Sequence, residues 1–313
     1  MKKNFQIPAT LSNKRLDQAL ASLLPDHSRT EIKNWIENDL VLVNGKLTKA
    51  KTKVRENDEL IVTIAPKPPI AYEAQAIPLD IIYEDGSLLV INKPVGLIVH
   101  PGAGNRDQTL LNALLHYLPT LQELPRAGIV HRLDKDTSGL LIIAKTPVSL
   151  KSLQNQLKKR SLIREYQAIV QGLLISGGTV NVPIARHPHE RTKMAVVDGG
   201  KEAITHYRIL EKYKAHTRLT VRLETGRTHQ IRVHMLYINH PIIGDQTYQG
   251  RPISTKQQSE SLRQCLKEMK RQALHAYRLE VEHPVTTERL TFKAPLPDDI
   301  LKLINQLRED LHD

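Results

Sequence analysis

The chain has 313 residues, enough for one large domain and a small one. It carries 45 Lys and Arg against 33 Asp and Glu, a net charge of +12, which points to a polyanionic partner such as nucleic acid or, failing that, to a solvated basic surface. Apolar runs stay far below the ~20 residues of a membrane span, and the N-terminal "MKKNFQIPATLSNKRLD" has cations without an apolar stretch, so neither a span nor a signal peptide is expected.

Residues 12–64 read as a compact module. Leu16, Ala19, Leu20, Leu23 and Leu24 recur at helical spacing. Ser28-Arg29-Thr30-Glu31 has the form of a capping box, and Ile32, Trp35 and Ile36 continue a second helical face. Strand-like pieces follow around Asn44-Gly45, a hairpin signal. Lys14, Arg15, Arg29, Lys33, Lys46 and Lys49 are scattered over the module, where they can meet an RNA backbone or simply solvate a small domain. The segment "RLDQALASLLPDHSRTEIKNWIENDLVLVNGKLTKAKTKVRENDEL" resembles an S4 RNA-binding domain.

Residues 65–78, "APKPPIAYEAQAIP", hold four prolines and no apolar period, and read as a semi-rigid linker. From residue 79 to 313 the pattern is mixed. "LDIIYEDGSLLVINKP" predicts a hairpin about Asp85-Gly86, and "TLLNALLHYL" a buried helix. "GLLIIAK" predicts a strand, and "TPVSLKSLQNQLKKR" a helix capped by Thr146 with Pro147 at its first position. "REYQAIVQG", "THYRILEKY" and "TRLTVRLE" predict strands, "THQIRVHMLYIN" a helix, "HAYRLEVEH" and "RLTFKA" two more strands, and residues 297–308 a last helix. Strands often follow strands directly. The expected class is therefore α+β, with a mixed, largely antiparallel sheet flanked by helices.

Three segments concentrate chemistry. In "HRLDKDTSG" (131–139) Asp134 sits among cations in a turn that leads into an apolar strand. Such an aspartate can be a structural ion-pair partner, a metal ligand, or an ionised nucleophile or base held by a buried arginine. "REYQAIV" (164–170) puts Arg164 and Tyr166 at the start of a strand. "LETGRTHQIRVHM" (223–235) gathers Arg227, His229, Gln230 and Arg232 after a Thr-Gly turn, a set of donors suited to phosphate or base edges. A helix after Gly226 would put His229 and Arg232 on one face. No phosphate-loop, dinucleotide or zinc pattern occurs. The single cysteine, Cys265, lies in the helix-like "SESLRQCLKEMKR", away from any such cluster; a lone cysteine permits no intrachain disulfide and fits a reducing cytoplasm.

Together these segments, with "NKPVGLIVHPG" (92–102) and "HPIIGDQTYQG" (240–250), closely resemble the RluA family of pseudouridine synthases. With the S4 module, the resemblance runs over essentially the whole chain. It implies isomerisation of uridine to pseudouridine in RNA, and the subgroup it favours acts on a stem-loop of 23S large-subunit ribosomal RNA. It implies Asp134 as the catalytic carboxylate, attacking ribose C1′ or acting through an elimination that gives a glycal. Arg232 would be its buried ion-pair partner, and Tyr166 would lie against the flipped uracil. Arg132 would fill the gap the uridine leaves. Arg227, His229 and Gln230 would contact RNA. The implied reaction needs no cofactor and no metal. A monomer acting on ribosomal RNA, free or within the assembling large subunit, is the expected form. Asp136 is the rival carboxylate; a non-catalytic RNA-binding factor and an RNA-cleaving hydrolase are the rival functions.

Overall fold

The computed structural model describes residues 2–25, 27, 29–64, 72–102, 104–250 and 258–311. Ser28 of the expected capping box and residues 65–71 of the expected linker lie outside them. The chain divides into two compact units, 1–71 and 72–313.

The first unit runs β1 (Lys2–Gln6), α1 (Leu16–Leu23), α2 (Arg29–Glu37), β2 (Val41–Val43), β3 (Lys46–Leu47) and β4 (Glu59–Thr63). Its sheet has the order β1-β4-β2-β3, all antiparallel. Leu16, Ala19 and Leu20 of α1 and Ile32, Trp35 and Ile36 of α2 bury their shared faces against Val41, Leu60 and Val62. Asn44 (φ 49°) and Gly45 (φ 74°) make the left-handed two-residue turn that joins β2 to β3, as Asn-Gly predicts. β1 lies ahead of residue 12, where the sequence pattern starts the module, and pairs with β4 along its whole length.

The second unit runs β5 (Ile81–Glu84), β6 (Leu88–Lys93), α3 (Leu110–Tyr117), β7 (Ser138–Ala144), α4 (Pro147–Lys158), β8 (Ile163–Gln171), β9 (Gly178–Asn181), β10 (Ile184–Arg186), β11 (Met194–Val196), β12 (Ile204–Lys212), β13 (His216–Leu223), α5 (Gln230–Tyr237), α6 (Glu260–Glu268), β14 (Leu274–Glu282), β15 (Arg289–Lys293) and α7 (Asp298–Glu309). The large sheet has the order β5-β6-β7-β14-β8-β13-β12-β9, with β15 on β14. Its pairs are antiparallel except β7 with β14, which are parallel. β10 and β11 form a separate hairpin. The α+β class with a mostly antiparallel mixed sheet is therefore as the sequence pattern indicates.

Both faces of the central strands are covered, which is why β6 and β7 read as unbroken apolar runs. Leu88, Val90, Leu140 and Ile142 pack under Leu150 and Leu153 of α4 on one face. Leu89, Ile91, Leu141 and Ile143 join the larger core, with α3 and α7, on the other. β7 approaches β14 so closely that a Cβ on Gly139 (φ 114°) would lie 2.3 Å from the Ala276 carbonyl oxygen. Only glycine fits there. The turn that carries Asp134 thus feeds directly into the rigid middle of the sheet.

Candidate active site

Asp134 opens the turn before β7, whose Thr137 N–H donates to the Asp134 carbonyl at 3.1 Å. The turn is fixed from below by Lys93, at the end of β6. Its fully buried ammonium donates to the carbonyls of Pro94 (2.7 Å), Leu97 (2.9 Å) and Lys135 (3.0 Å). Burial pulls the Lys93 pKa down to about 8, against the opposing charges of Asp136 and Asp134. From the side, Arg271 donates to the Asp136 carbonyl (3.4 Å), and Gln272 to the Thr137 hydroxyl (3.0 Å).

Arg232, on α5, meets Asp134 from the other wall. Its Nη1 donates to Asp134 Oδ2 at 3.1 Å. Its remaining fork, Nε and Nη2, is taken by Asp245 at 2.7 and 2.9 Å. Asp245 Oδ1 also accepts the N–H groups of Thr247 (2.9 Å) and Tyr248 (3.0 Å). Burial alone would raise the Asp245 pKa, but Arg232 and those N–H groups outweigh it and hold it low. Burial likewise opposes charge on Arg232, and the two carboxylates outweigh it and push its pKa up. The guanidinium carbon stands 4.9 Å from the centre of the Tyr248 ring. A bidentate clamp therefore leaves one edge of Arg232 aimed at Asp134.

His229 precedes α5 rather than lying within it. It adopts a left-handed conformation (φ 57°) as the N-cap, so it shares no helical face with Arg232. Both still converge on Asp134: His229 Nε2 lies 4.0 Å from Oδ1, while Nδ1 bonds the Tyr248 hydroxyl at 2.7 Å. Burial lowers the His229 pKa. Gln230 departs from the expected RNA contact. It is 2% exposed, and its amide is consumed by Thr225, the Arg227 N–H, the Ile204 carbonyl and Thr205, which tie the 225–229 turn to β12.

These groups face a cavity of about 790 Å³ whose walls include Asp134, Tyr166, Arg132, Arg164, Arg227 and Arg232. Tyr166, on β8, is buried; burial pushes its phenol pKa up, and the charges of Arg164 and Asp134 reach it. Arg132 is exposed at the wall. Arg227 is half-buried, with Nε donating to the Glu202 carbonyl at 2.9 Å. Asp136, the rival carboxylate, lines a separate hollow of about 460 Å³ with Cys265 and Arg271. Burial raises the Cys265 thiol pKa. Among the described residues no group of three or more His, Cys, Asp or Glu is arranged to hold a metal ion, and no helix is long and apolar enough to cross a membrane.

In the first unit Arg15 and Arg29 converge on Asp17, Arg15 through Nε (2.9 Å) and Arg29 through Nη2 (2.8 Å). Burial would raise the Asp17 pKa, but Arg29 and Arg15 bring it below its usual value. Lys33 pairs with Glu37 one turn on, at 3.4 Å, and Lys14, Lys46 and Lys49 are exposed. Lys93 and Asp245 went unassigned in the sequence pattern. Each lies inside a motif-bearing segment, but only the fold brings it to Asp134.

Residues 87–237 match the family described as RNA pseudouridylate synthase, and residues 14–60 match the S4 domain. The chain is 52% identical to the ribosomal large subunit pseudouridine synthase D of Salmonella typhimurium, over 100% of this chain and 98% of that protein. It is 53% identical to the protein of the same name from Haemophilus ducreyi, over 97% of this chain and 94% of that one. Among solved structures, human RNA pseudouridylate synthase domain containing 4 aligns with a TM-score of 0.58 at 26% identity, covering 73% of this chain and 93% of that one.

Proposed function

The chain belongs to the RNA pseudouridylate synthase family and is an RNA pseudouridine synthase, and from that premise we propose that Asp134 is its catalytic carboxylate and large-subunit ribosomal RNA its substrate. The observation that carries this reading is the Asp245–Arg232–Asp134 chain. One buried arginine is immobilised by one carboxylate and presents a single donor edge to another at the cavity wall. That arrangement gives Asp134 a fixed counter-ion and a fixed orientation at the cavity wall, as a nucleophile or an eliminating base requires.

A uridine flipped out of its stack enters the cavity, and its uracil packs on Tyr166. Asp134 attacks ribose C1′, or initiates elimination to a glycal, and the N1–C1′ bond breaks. The uracil turns within the pocket, C5 bonds to C1′ as the Asp134 carboxylate leaves it (or by addition to the glycal), the C5 hydrogen leaves as a proton and N1 gains one. Burial keeps the Tyr166 phenol protonated at neutral pH, so it serves as a stacking face and donor rather than an anion. Arg132 occupies the vacated stack, while Arg227 and His229 contact the strand at the cavity wall. Within the S4 module, spanning 12–64 ahead of a 65–78 linker and a 79–313 catalytic region, Lys14, Lys46 and Lys49 meet RNA backbone. So do Arg15 and Arg29, held by Asp17, and Lys33. The names of the 52–53% identical relatives support the large-subunit assignment. The chain works as a cytoplasmic monomer on a stem-loop, naked or within the assembling subunit.

Pseudouridine mapping tests this directly. Large-subunit RNA from cells lacking the gene is labelled with carbodiimide and read by primer extension, with wild-type or Asp134→Asn complementation. The expected result is that only wild type restores the missing sites. Restoration by both removes Asp134 as the catalytic carboxylate. No change in either strain moves the substrate elsewhere.

A further inference from the structure

Three arginines of the second unit are buried among the described residues: Arg164, Arg232 and Arg271, at 8%, 6% and 7% exposure. Two hold carboxylates in bidentate pairs. Arg232 grips Asp245, and Arg271 grips Asp299 through Nε and Nη2, both at 2.6 Å. Arg164 grips nothing. Among the described residues no carboxylate lies within ion-pair distance of it, and its Nε is buried without a hydrogen-bond partner. Its strand neighbour Glu165 points to the opposite face and pairs with Arg278 at 2.8 Å. A buried guanidinium without a counter-ion is unfavourable, and this one stands in the wall of the cavity that holds Asp134.

A second orphan stands beside it. His131 Nε2 accepts the Ile142 N–H at 3.3 Å, which leaves the ring proton on Nδ1. That Nδ1 is shielded from solvent and has no partner. Burial, then the nearby Arg164 charge, brings the ring's pKa down to about 3, so it stays neutral. Gly226 leaves room for Arg164, since a Cβ there would lie 2.8 Å from Arg164 Nη1. Both residues line the same cavity, and Arg164 brings to its wall a cation without a carboxylate partner among the described residues. Arg164 and Tyr166 share one face of β8 two residues apart, roughly 7 Å along the strand, about the reach of one nucleotide.

We propose that Arg164 is the receptor for a phosphodiester group of the RNA strand adjoining the flipped uridine. A polyanionic strand brings an acceptor that is itself charged, which a neutral uracil carbonyl is not. The proposal rests on the reading of the cavity as the uridine site. Arg164 is thereby a substrate-binding residue whose counter-ion is the RNA itself.

The test uses the full-length chain and a synthetic stem-loop carrying a uridine that wild type converts to pseudouridine. Conversion of that unmodified probe checks the site reading independently. Matching probes carry one neutral methylphosphonate on the 5′ or the 3′ side of the uridine. Dissociation constants are measured for wild type, Arg164→Gln and Arg164→Lys, with kcat at saturating RNA. The expected loss for Arg164→Gln is on the order of 10- to 100-fold in Kd, with kcat retained. One methylphosphonate costs wild type a similar factor and costs Arg164→Gln almost nothing. The salt dependence of binding falls by about one phosphate's worth in the variant. Arg164→Lys recovers part of the affinity, and it carries the same cycle if the glutamine variant does not fold. Additive losses at both linkages would overturn the proposal and put Arg164 on the base. Loss of kcat at unchanged Kd would also overturn it.

Discussion

Replacing Asp245 by Asn strikes the clamp without touching the cavity wall. The Asp245 side chain is fully buried and Arg232 nearly so. Asparagine can keep Oδ1 as acceptor for the Thr247 and Tyr248 N–H groups, but it puts an NH₂ where Oδ2 accepted Arg232 Nε at 2.7 Å. Donor then faces donor. One charge-assisted bond is lost, the second is weakened, and a buried guanidinium keeps only Asp134 as counter-ion. Bonds to charged groups contribute about 1.5–3 kcal/mol each, and breaking a buried pair on one side costs about 3–5 kcal/mol. The retained Asp134 contact offsets part of this, so the expected destabilisation is about 3 kcal/mol. Arg232 should also swing toward Asp134 and lose its fixed approach. Misplacement of about 1 Å costs on the order of 100-fold in rate, and that is the expected fall in kcat. Urea unfolding and single-turnover pseudouridine formation read the two effects. A variant within 1 kcal/mol of wild type and at full kcat would show that Asp245 neither holds nor aims Arg232.

The other expectations are independent of that clamp. Gly139→Ala drives a Cβ into the Ala276 backbone at a φ that disfavours any side chain, so it should separate β7 from β14, costing at least about 3 kcal/mol; thermal unfolding checks it, and a wild-type Tm would contradict the close approach. His275 is 1% exposed, bonded to the Ser138 hydroxyl at 2.9 Å, with burial taking its pKa down to about 4. Its unfolded form binds a proton near the ordinary value of about 6.5, so the folded chain loses stability as pH falls from 6.5 towards 4. In His275→Gln the slope of stability against pH across that window should be smaller by about one proton. Lys93 titrates on the other side: its folded pKa of about 8 lies below the ordinary 10.5, so the unfolded chain binds more protons between them. Stability therefore gains about one proton's slope with rising pH from 8 to 10.5, and Lys93→Met should lose that increment while loosening the Asp134 turn.

The fold was legible where burial leaves a periodic mark. β7 shows as an apolar run because both its faces are covered, and α4 shows through Thr146, whose hydroxyl accepts the Ser149 N–H, and Pro147. The elements with no such mark are held by pairing instead. β1 is a polar "KKNFQ" with one partly buried Phe, made a strand by its ladder with β4. β10 and β11 are three residues each and exist as a hairpin against each other. In the site, Asp134 and Arg232 were visible because they sit in dense motifs, although 98 residues separate them along the chain. His229 was misplaced by one residue because helical spacing cannot reveal a left-handed N-cap. Asp245 and Lys93 carry no local signal. Their roles come from what lies opposite them once the sheet has formed: a guanidinium and three carbonyls.

The role of Asp134 is tested most directly by tritium release from RNA labelled at uridine C5, measured with purified wild-type and Asp134→Asn protein at matched RNA occupancy. Forming the C5–C1′ bond expels the C5 hydrogen, so each turnover liberates one label. Release by wild type and none above background by the variant is expected, with RNA affinity and unfolding midpoint close to wild type. Release by Asp134→Asn at an undiminished rate would contradict it, and the catalytic carboxylate would have to be sought elsewhere in the cavity.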